Sequence, residues 1–385
     1  MHTGFSQRSS MRIGWLLALL ALSPLCRAQD PLLSQFYSSR LFLNPAMAGY
    51  EPGTNAYLAY RNQSVLSPLG SGQFHTQHLG LSVELPRYWS GLGIQATQST
   101  EGAGALRWQQ AGLQYAFRNR VCRRDVHPGR TFYRSEFSLG LEATWNQWTF
   151  RNVQGLVFAD QLHPWLGQTG SLSDLPDAWR GDWRPGYLDF NFGAMWHQRF
   201  GRSGGIWQAG YAVRHLPQRD VSFGLADDRR PVRHTLHFGL KRQGTWRSRP
   251  LWGIVTLRAD FQPGSYGAGG GRFWHRSVQA GYQADWGKES GFWIGGWYQG
   301  RISGPQGHLH SAVGALGFRG ALPGPAPARW RAGFSYDQPL VNQFWGGFGG
   351  RSAELFLGFQ FPAMVPKGLR CGDTQLDCSD CPGPF

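Results

Sequence analysis

From residue 54 to residue 361, apolar and polar positions alternate with a period of two, the period of a strand whose side chains point to opposite faces. In 236–241, Leu236, Phe238 and Leu240 share one face, and His237, Gly239 and Lys241 share the other. In 352–361, Ala353, Leu355, Leu357 and Phe359 face one way, and Glu354, Phe356, Gly358 and Gln360 the other. Fourteen such segments recur, at 54–62, 76–85, 89–99, 106–117, 136–148, 188–200, 205–216, 231–242, 251–261, 274–286, 291–301, 309–320, 330–338 and 352–361. Their length, about nine to thirteen residues, is what a tilted strand needs to cross a hydrocarbon core.

One apolar face against a mixed or polar one predicts an all-β fold, a transmembrane antiparallel β-barrel of fourteen strands with its apolar side to lipid. Trp89, Trp145, Trp148, Trp274, Trp286 and Trp330 stand near segment ends, where interfacial girdles belong. A soluble sandwich or propeller has the same period but no reason to favour ten-residue strands in even number. Loop lengths agree with a barrel whose two ends are periplasmic. The outer connections include the long stretches 63–75, 149–187, 217–230, 262–273 and 339–351, and the inner ones include the short turns 86–88, 201–204, 287–290 and 321–329. Two inner connections break the rule, 118–135 and, less strongly, 243–250.

Composition suits strands joined by turns: 54 Gly, 56 aromatic residues (25 Phe, 18 Trp and 13 Tyr) and only 16 % charged residues among 385. No run of eighteen apolar residues is present, so no spanning helix is expected. At the start, Arg8 and Arg12 precede an apolar stretch, Ile13 to Leu25, that ends in Cys26-Arg27-Ala28. Residues 1–28 therefore read as a secretory signal peptide with cleavage after Ala28. Leu25 is larger than a lipid-anchored Cys26 would take before it.

Residues 29–53 hold Asn44-Pro45-Ala46 and the small residues Ala48 and Gly49. Pro45 fixes its own φ and pushes Asn44 toward extended backbone. Small residues let backbone pass close to a wall. The segment is expected at the periplasmic mouth or in the lumen, ordered through Phe36, Leu43 and Pro45; the plainer reading is a turn before a strand. Residues 362–385 are read as a periplasmic tail carrying Cys371, Cys378 and Cys381. With Cys122 these make four cysteines in an exported chain, enough for disulfides, and their spacing matches no common zinc site. The turn 118–135 and the tail share the periplasmic side, so a disulfide from Cys122 would clip the tail to the barrel.

No chemistry of catalysis stands out, and no cofactor is expected. Gly287-Lys288 runs on to Glu289 rather than to Ser or Thr, so there is no phosphate-binding loop of the nucleotide-hydrolase kind. The Gly-rich stretch 267–272 falls in an outer loop. His75 and His78 are three apart on a strand and face opposite ways. The net charge is +15, and removing Arg8, Arg12 and Arg27 leaves 15 − 3 = +12. Export and the lack of a recognition motif argue against nucleic acid. The layout collects the charge on the periplasmic side, with Arg118, Arg120, Arg123 and Arg124 central. Such a face suits an acidic periplasmic component or anionic outer-membrane lipid.

The N-terminal "QDPLLSQFYSSRLFLNPAMAGY", with Asn44, Pro45, Ala46 and Gly49, and the first-strand motif Tyr60-Arg61-Asn62-Gln63 resemble the PorP/SprF family of type IX secretion and gliding-motility outer-membrane proteins. The likeness continues in "SGLGIQATQS", "LDFNFGAMW", "RAGFSYDQ" and "SAELFLGF", and in the final "CPGPF". The chain departs from the family in lacking Trp after Gln63 and in its extra tail cysteines. The resemblance implies a FadL-like, non-enzymatic barrel in the outer membrane. It implies as partners the periplasmic parts of the machinery and a secreted cargo protein with a C-terminal signal, such as an adhesin. Its alternative is a FadL-like transporter of hydrophobic small molecules.

Overall fold

The computed structural model describes residues 31–63, 74–101, 106–123, 133–150, 162–163, 167–168, 186–200, 205–221, 229–246, 249–265, 272–287, 290–303, 307–323, 328–340 and 351–362. The expected signal peptide, the tail cysteines and Arg124 lie outside them, and of the Arg120, Cys122 and Arg123 side chains nothing is described. Fourteen antiparallel strands close into a barrel. They are β1 (Thr54–Asn62), β2 (His75–Leu85), β3 (Ser90–Glu101), β4 (Leu106–Arg123), β5 (Tyr133–Phe150), β6 (Tyr187–Phe200) and β7 (Gly205–Arg214). The second half is β8 (Arg233–Trp246), β9 (Arg249–Ser265), β10 (Arg272–Trp286), β11 (Gly291–Ser303), β12 (Gly307–Ala321), β13 (Arg329–Pro339) and β14 (Ser352–Phe361). Each strand pairs with its neighbour in the chain, and β1 pairs with β14 from Thr54↔Phe361 to Asn62↔Ala353, so no sheet edge is left open. Closure satisfies every ladder in a medium that offers no water. A two-residue hairpin, Leu162–His163 with Gly167–Gln168, sits in the long β5–β6 connection. No described helix is long and apolar enough to cross a membrane.

Alternation sets the two faces. Leu79, Leu81, Ile94, Leu113, Leu141, Leu316, Leu355 and Leu357 are exposed on the outside, while their neighbours Ser82, Gln95, Gln114, Glu142 and Glu354 are buried inside. Tyr88, Trp89, Trp145, Trp196 and Trp274 are also exposed. Trp148 departs from the expected girdle. It is buried, 6.2 Å from Trp108 ring to ring, and the Arg230 guanidinium lies 5.1 Å from the Trp108 ring and 5.9 Å from that of Trp148.

Strand ends differ from the sequence pattern in a consistent way. The connections 118–135 and 243–250, read as long inner turns, are largely ladder: β4 pairs with β5 as far as Arg123↔Tyr133, and β8 with β9 as far as Trp246↔Arg249. Hydrophobic alternation marks the lipid-facing part of a strand, whereas main-chain pairing continues past the apolar band. Placing these residues in strands moves Arg118, 1 % exposed, from an exposed turn to the lumen.

Candidate functional site: the plugged lumen

Residues 31–53 run inside the barrel as a plug. The described plug begins near the ends of β1, β13 and β14 far from Thr54 and Phe361, where Ser34 meets Glu354 and Asp337, and leaves through Gly53 into β1. It forms a four-residue helix, α1 (Arg40–Leu43), and a 3-10 turn (Pro45–Met47) started by Asn44 and Pro45. Pro45 sits in the first turn of that helix, where its missing N–H costs nothing. Gly49 adopts φ +61, which favours a residue without Cβ. The plug thus reaches well beyond the terminal mouth.

Its apolar side chains fill the lumen. Phe36, Tyr37, Leu43, Ala46, Met47 and Tyr50 cluster with Met195, Trp293, Trp297, Val313 and Ala315 of the wall. Tyr37 stacks on Trp297 with centroids 5.0 Å apart and meets Trp293 edge-on. Leu33, Leu41, Phe42 and Ala48 pack with Tyr57, Ala59, Ala116 and Phe356. Burying a side chain of this size contributes roughly 1.5–3 kcal/mol, so the plug is strongly held. Burial pushes the Tyr37 and Tyr50 phenols above their ordinary pKa, and both remain neutral at physiological pH.

A plug with so little regular structure exposes main-chain polar groups, and inward side chains of the wall pair with them. Glu354 accepts from Ser34 N at 2.6 Å and from Gln35 N at 2.9 Å. Gln114 donates to Leu41 O at 2.9 Å, Ser138 to Ala46 O at 2.8 Å and Gln279 to Leu33 O at 3.3 Å. Arg214 donates to Phe42 O and Arg118 to Ala48 O. Tyr57 accepts from Leu41 N at 2.9 Å, and Ser82 accepts from Gly49 N at 2.6 Å.

The two motifs that carried the resemblance are anchors of this plug. Asn44 is fully buried. Its Oδ1 accepts from Ala46 N at 2.9 Å, while its Nδ2 donates to Ala194 O at 3.1 Å and Tyr211 O at 3.3 Å and lies 2.9 Å from His237 Nε2. One amide therefore ties the plug to β6, β7 and β8. Gly140 and Gly193 make room: a Cβ on either would run into the backbone of Pro45 and Ala46 or the Asn44 amide. Gly49 and Gly91 face each other as closely, with Ala48 O against Gly91. At the other motif, Arg61 is buried, with Asp337 at 2.8 Å, Ser352 Oγ at 2.9 Å, Glu354 at 3.6 Å, and Ser34 Oγ in hydrogen-bond contact. Ser34 Oγ also donates to Asp337. Tyr60 points outward, and Gln63 donates its main-chain N–H to Phe74 O at 2.7 Å.

Two parts of the sequence reading change here. Arg118 does not belong to an exposed docking face; it lies inside, within 3.9 Å of Glu84 and 3.7 Å of Glu136, because β4 continues through it. Asp337, Glu354, Glu142 and Asp260 were not singled out, yet they organise the lumen. Asp260 takes Arg233 at 3.0 Å, Arg258 at 3.0 Å, Thr235 at 2.6 Å and Ser277 at 2.8 Å. Each is a carboxylate at an inward position of an alternating strand, and that parity is the signal that marks them.

Toward the end that carries Thr54 and Phe361, plug and wall leave a cavity of about 200 Å³. Ser38, Arg40 and Glu51 line it from the plug, and Lys241, Trp252, Arg319, Arg329, Arg331 and Phe356 from the wall. Arg40 pairs with Glu51 at 2.8 Å, and Arg319 with Asp285 at 2.9 Å. The cavity is cationic, unlike the apolar pocket a hydrocarbon transporter requires.

A closed fourteen-stranded barrel with an apolar outer belt and a polar, filled interior defines an outer-membrane protein. Its sequence matches the model of the type IX secretion system membrane protein PorP/SprF over residues 25–359, and the chain belongs to that family. Solved structures of similar shape are outer-membrane barrels of low identity. A FadL homologue from Pseudomonas aeruginosa is 11 % identical with a TM-score of 0.41, covering 84 % of this chain and 94 % of that one. The CymD monoaromatic hydrocarbon channel is 12 % identical with a TM-score of 0.38, covering 88 % and 96 %. CdiB from Acinetobacter baumannii is 10 % identical with a TM-score of 0.40, covering 81 % of this chain; this chain spans 60 % of CdiB. No curated protein sequence matches it.

Proposed function

We propose that this barrel is a non-enzymatic component of the type IX secretion and gliding machinery that supports export or surface attachment of cargo proteins such as adhesins. The observation that carries this reading over small-molecule transport is the plug. Residues 31–53 fill the lumen, their backbone is paired to side chains from strands around the wall, and the cavity beside them carries four arginines and a lysine among its lining groups. A channel for hydrophobic compounds needs an apolar path, whereas a protein that docks others needs only a rigid scaffold in the membrane. Partner contact falls to the periplasmic end, where β4 and β5 project as a hairpin that carries Arg120 and Arg123 near its tip; an acidic periplasmic component is the partner that fits, with Arg118 excluded from the contact.

Deleting the gene and cataloguing the surface proteome tests the reading. Selective loss of surface proteins bearing a C-terminal secretion signal is expected, restored by the intact gene, with uptake of aromatic hydrocarbons unchanged. An unaltered surface proteome together with lost hydrocarbon uptake would overturn it in favour of the transporter.

A further inference from the structure

The cavity at the terminal end has a charge pattern that the plug does not need. Arg40, Lys241, Arg319, Arg329 and Arg331 line it against one lining carboxylate, Glu51. Among the described residues, Asp285, behind Arg319, brings the acids to two against five cations. Arg319 and Arg331 sit directly opposite each other in the β12–β13 ladder, a like-charge pair of which Arg319 is held by Asp285 at 2.9 Å. Lys241 sits 4.7 Å above the Trp252 ring, and Phe356 and the Tyr57 ring add apolar wall. Bringing this many cations together in a half-buried space is unfavourable on its own.

From this geometry we infer that the cavity is a binding site for a phosphate group carried on an organic body. A carboxylate has one charge and two oxygens and is satisfied by a single arginine fork. A phosphate monoester carries up to two charges and three free oxygens and a phospholipid diester one charge and two, and in either the tetrahedral oxygens point to different sides and bridge several guanidinium and ammonium groups at once. The cavity has room for more than the anion itself, and Trp252 and Phe356 offer that remainder an apolar surface. Trp330 also lines the cavity at this rim, and an indole there suits the level of the lipid headgroups. The phosphate therefore comes either from an anionic phospholipid of the inner leaflet or from a soluble organic phosphate. Because Arg40 belongs to the plug and the other four cations to the wall, a bound phosphate clamps the plug to β8, β12 and β13. The site does not depend on the secretion role; it rests on the cavity alone.

Native mass spectrometry of the detergent-purified barrel, with phosphatidylglycerol and glycerol 3-phosphate as separate probes, tests the site. Hydrogen exchange over residues 38–51 gives a second readout. One phosphate-bearing molecule is expected per barrel, displaced by inorganic phosphate and not by acetate at equal concentration, with slower exchange in the plug when it is bound. Arg331→Gln and, separately, Arg40→Gln each weaken binding about tenfold or more, the loss of one charge-assisted contact. Arg276→Gln, an exposed position at the opposite end of the barrel, leaves it unchanged. Retained heat-modifiable migration shows that each variant still forms a barrel. Binding of phosphatidylglycerol alone assigns the site to lipid, and binding of glycerol 3-phosphate as well assigns it to the phosphate group in any carrier. Neither probe bound, equal displacement by acetate, or undiminished binding in both variants would overturn the inference.

Discussion

At the scale of single residues, the lumen is held by side chains that each serve several partners. Asn44 caps the 3-10 turn and reaches three strands with one amide. Asn44→Ala leaves Ala194 O, Tyr211 O and His237 without that donor, at about 1–3 kcal/mol for each buried group left unpaired. The expected result is a barrel that still migrates as folded while residues 31–50 exchange amide hydrogens faster and become open to protease; unchanged protection would count against the anchor. Arg61 stands between Asp337 and Glu354, so Arg61→Met leaves two buried carboxylates close together. Removing one partner of a buried ion cluster costs about 3–5 kcal/mol. A fall in the temperature at which the barrel loses its compact gel form is the expected readout, and Glu354→Gln in the same background should recover part of it. The motif residues were legible from the sequence, but their partners were not. Ala194, Tyr211 and His237 are 150 to 193 positions from Asn44, and nothing local connects them.

At the scale of elements, all fourteen strands were legible because each must present a lipid-facing stripe at every second position. Their ends were not. β4 and β5 run on into 119–123 and 133–135, where Asn119, Arg120, Arg123, Arg134 and Ser135 outnumber Val121 and Tyr133 and the alternation is too short to read. That extension brings the backbone of Cys122 opposite Arg134, at the same end of the barrel as Phe361. The tail cysteines follow Phe361 by ten residues or more, so reach is no obstacle to a bridge from Cys122 to Cys371, Cys378 or Cys381. Such a cross-link closes a loop of some 250 residues, worth about 5 kcal/mol in the chain-entropy model if unstrained. Peptide mapping without reduction should recover Cys122 joined to a tail peptide, and Cys122 found wholly as a free thiol in native membranes rules the clip out. The plug shows the reverse case. It has no periodicity, so only its small residues and Asn44-Pro45 hinted that it would lie against a wall.

At the scale of the whole molecule, charge sorted differently from what the sequence suggested. The layout drawn from the sequence put this charge on an exposed periplasmic face. Much of it is instead internal, in Arg61, Arg118, Arg214, Arg233, Arg258 and Lys241, which are all buried. Carboxylates on neighbouring strands answer several of these: Asp337 and Glu354 at Arg61, Glu84 and Glu136 at Arg118, Asp260 at Arg233. The interior therefore behaves as a wired scaffold around a fixed segment. Parity alone places these cations inside: Arg118 needs β4 drawn to its full length, and the other five already fall within the segments read from the sequence.

The claim on which the account rests is that residues 31–53 close the barrel, and ion conductance across a planar bilayer measures it most directly. The intact protein should insert and remain electrically silent, while a variant lacking residues 31–49 should show steady single-channel conductance through the emptied lumen. Steady conductance by the intact protein would contradict the account.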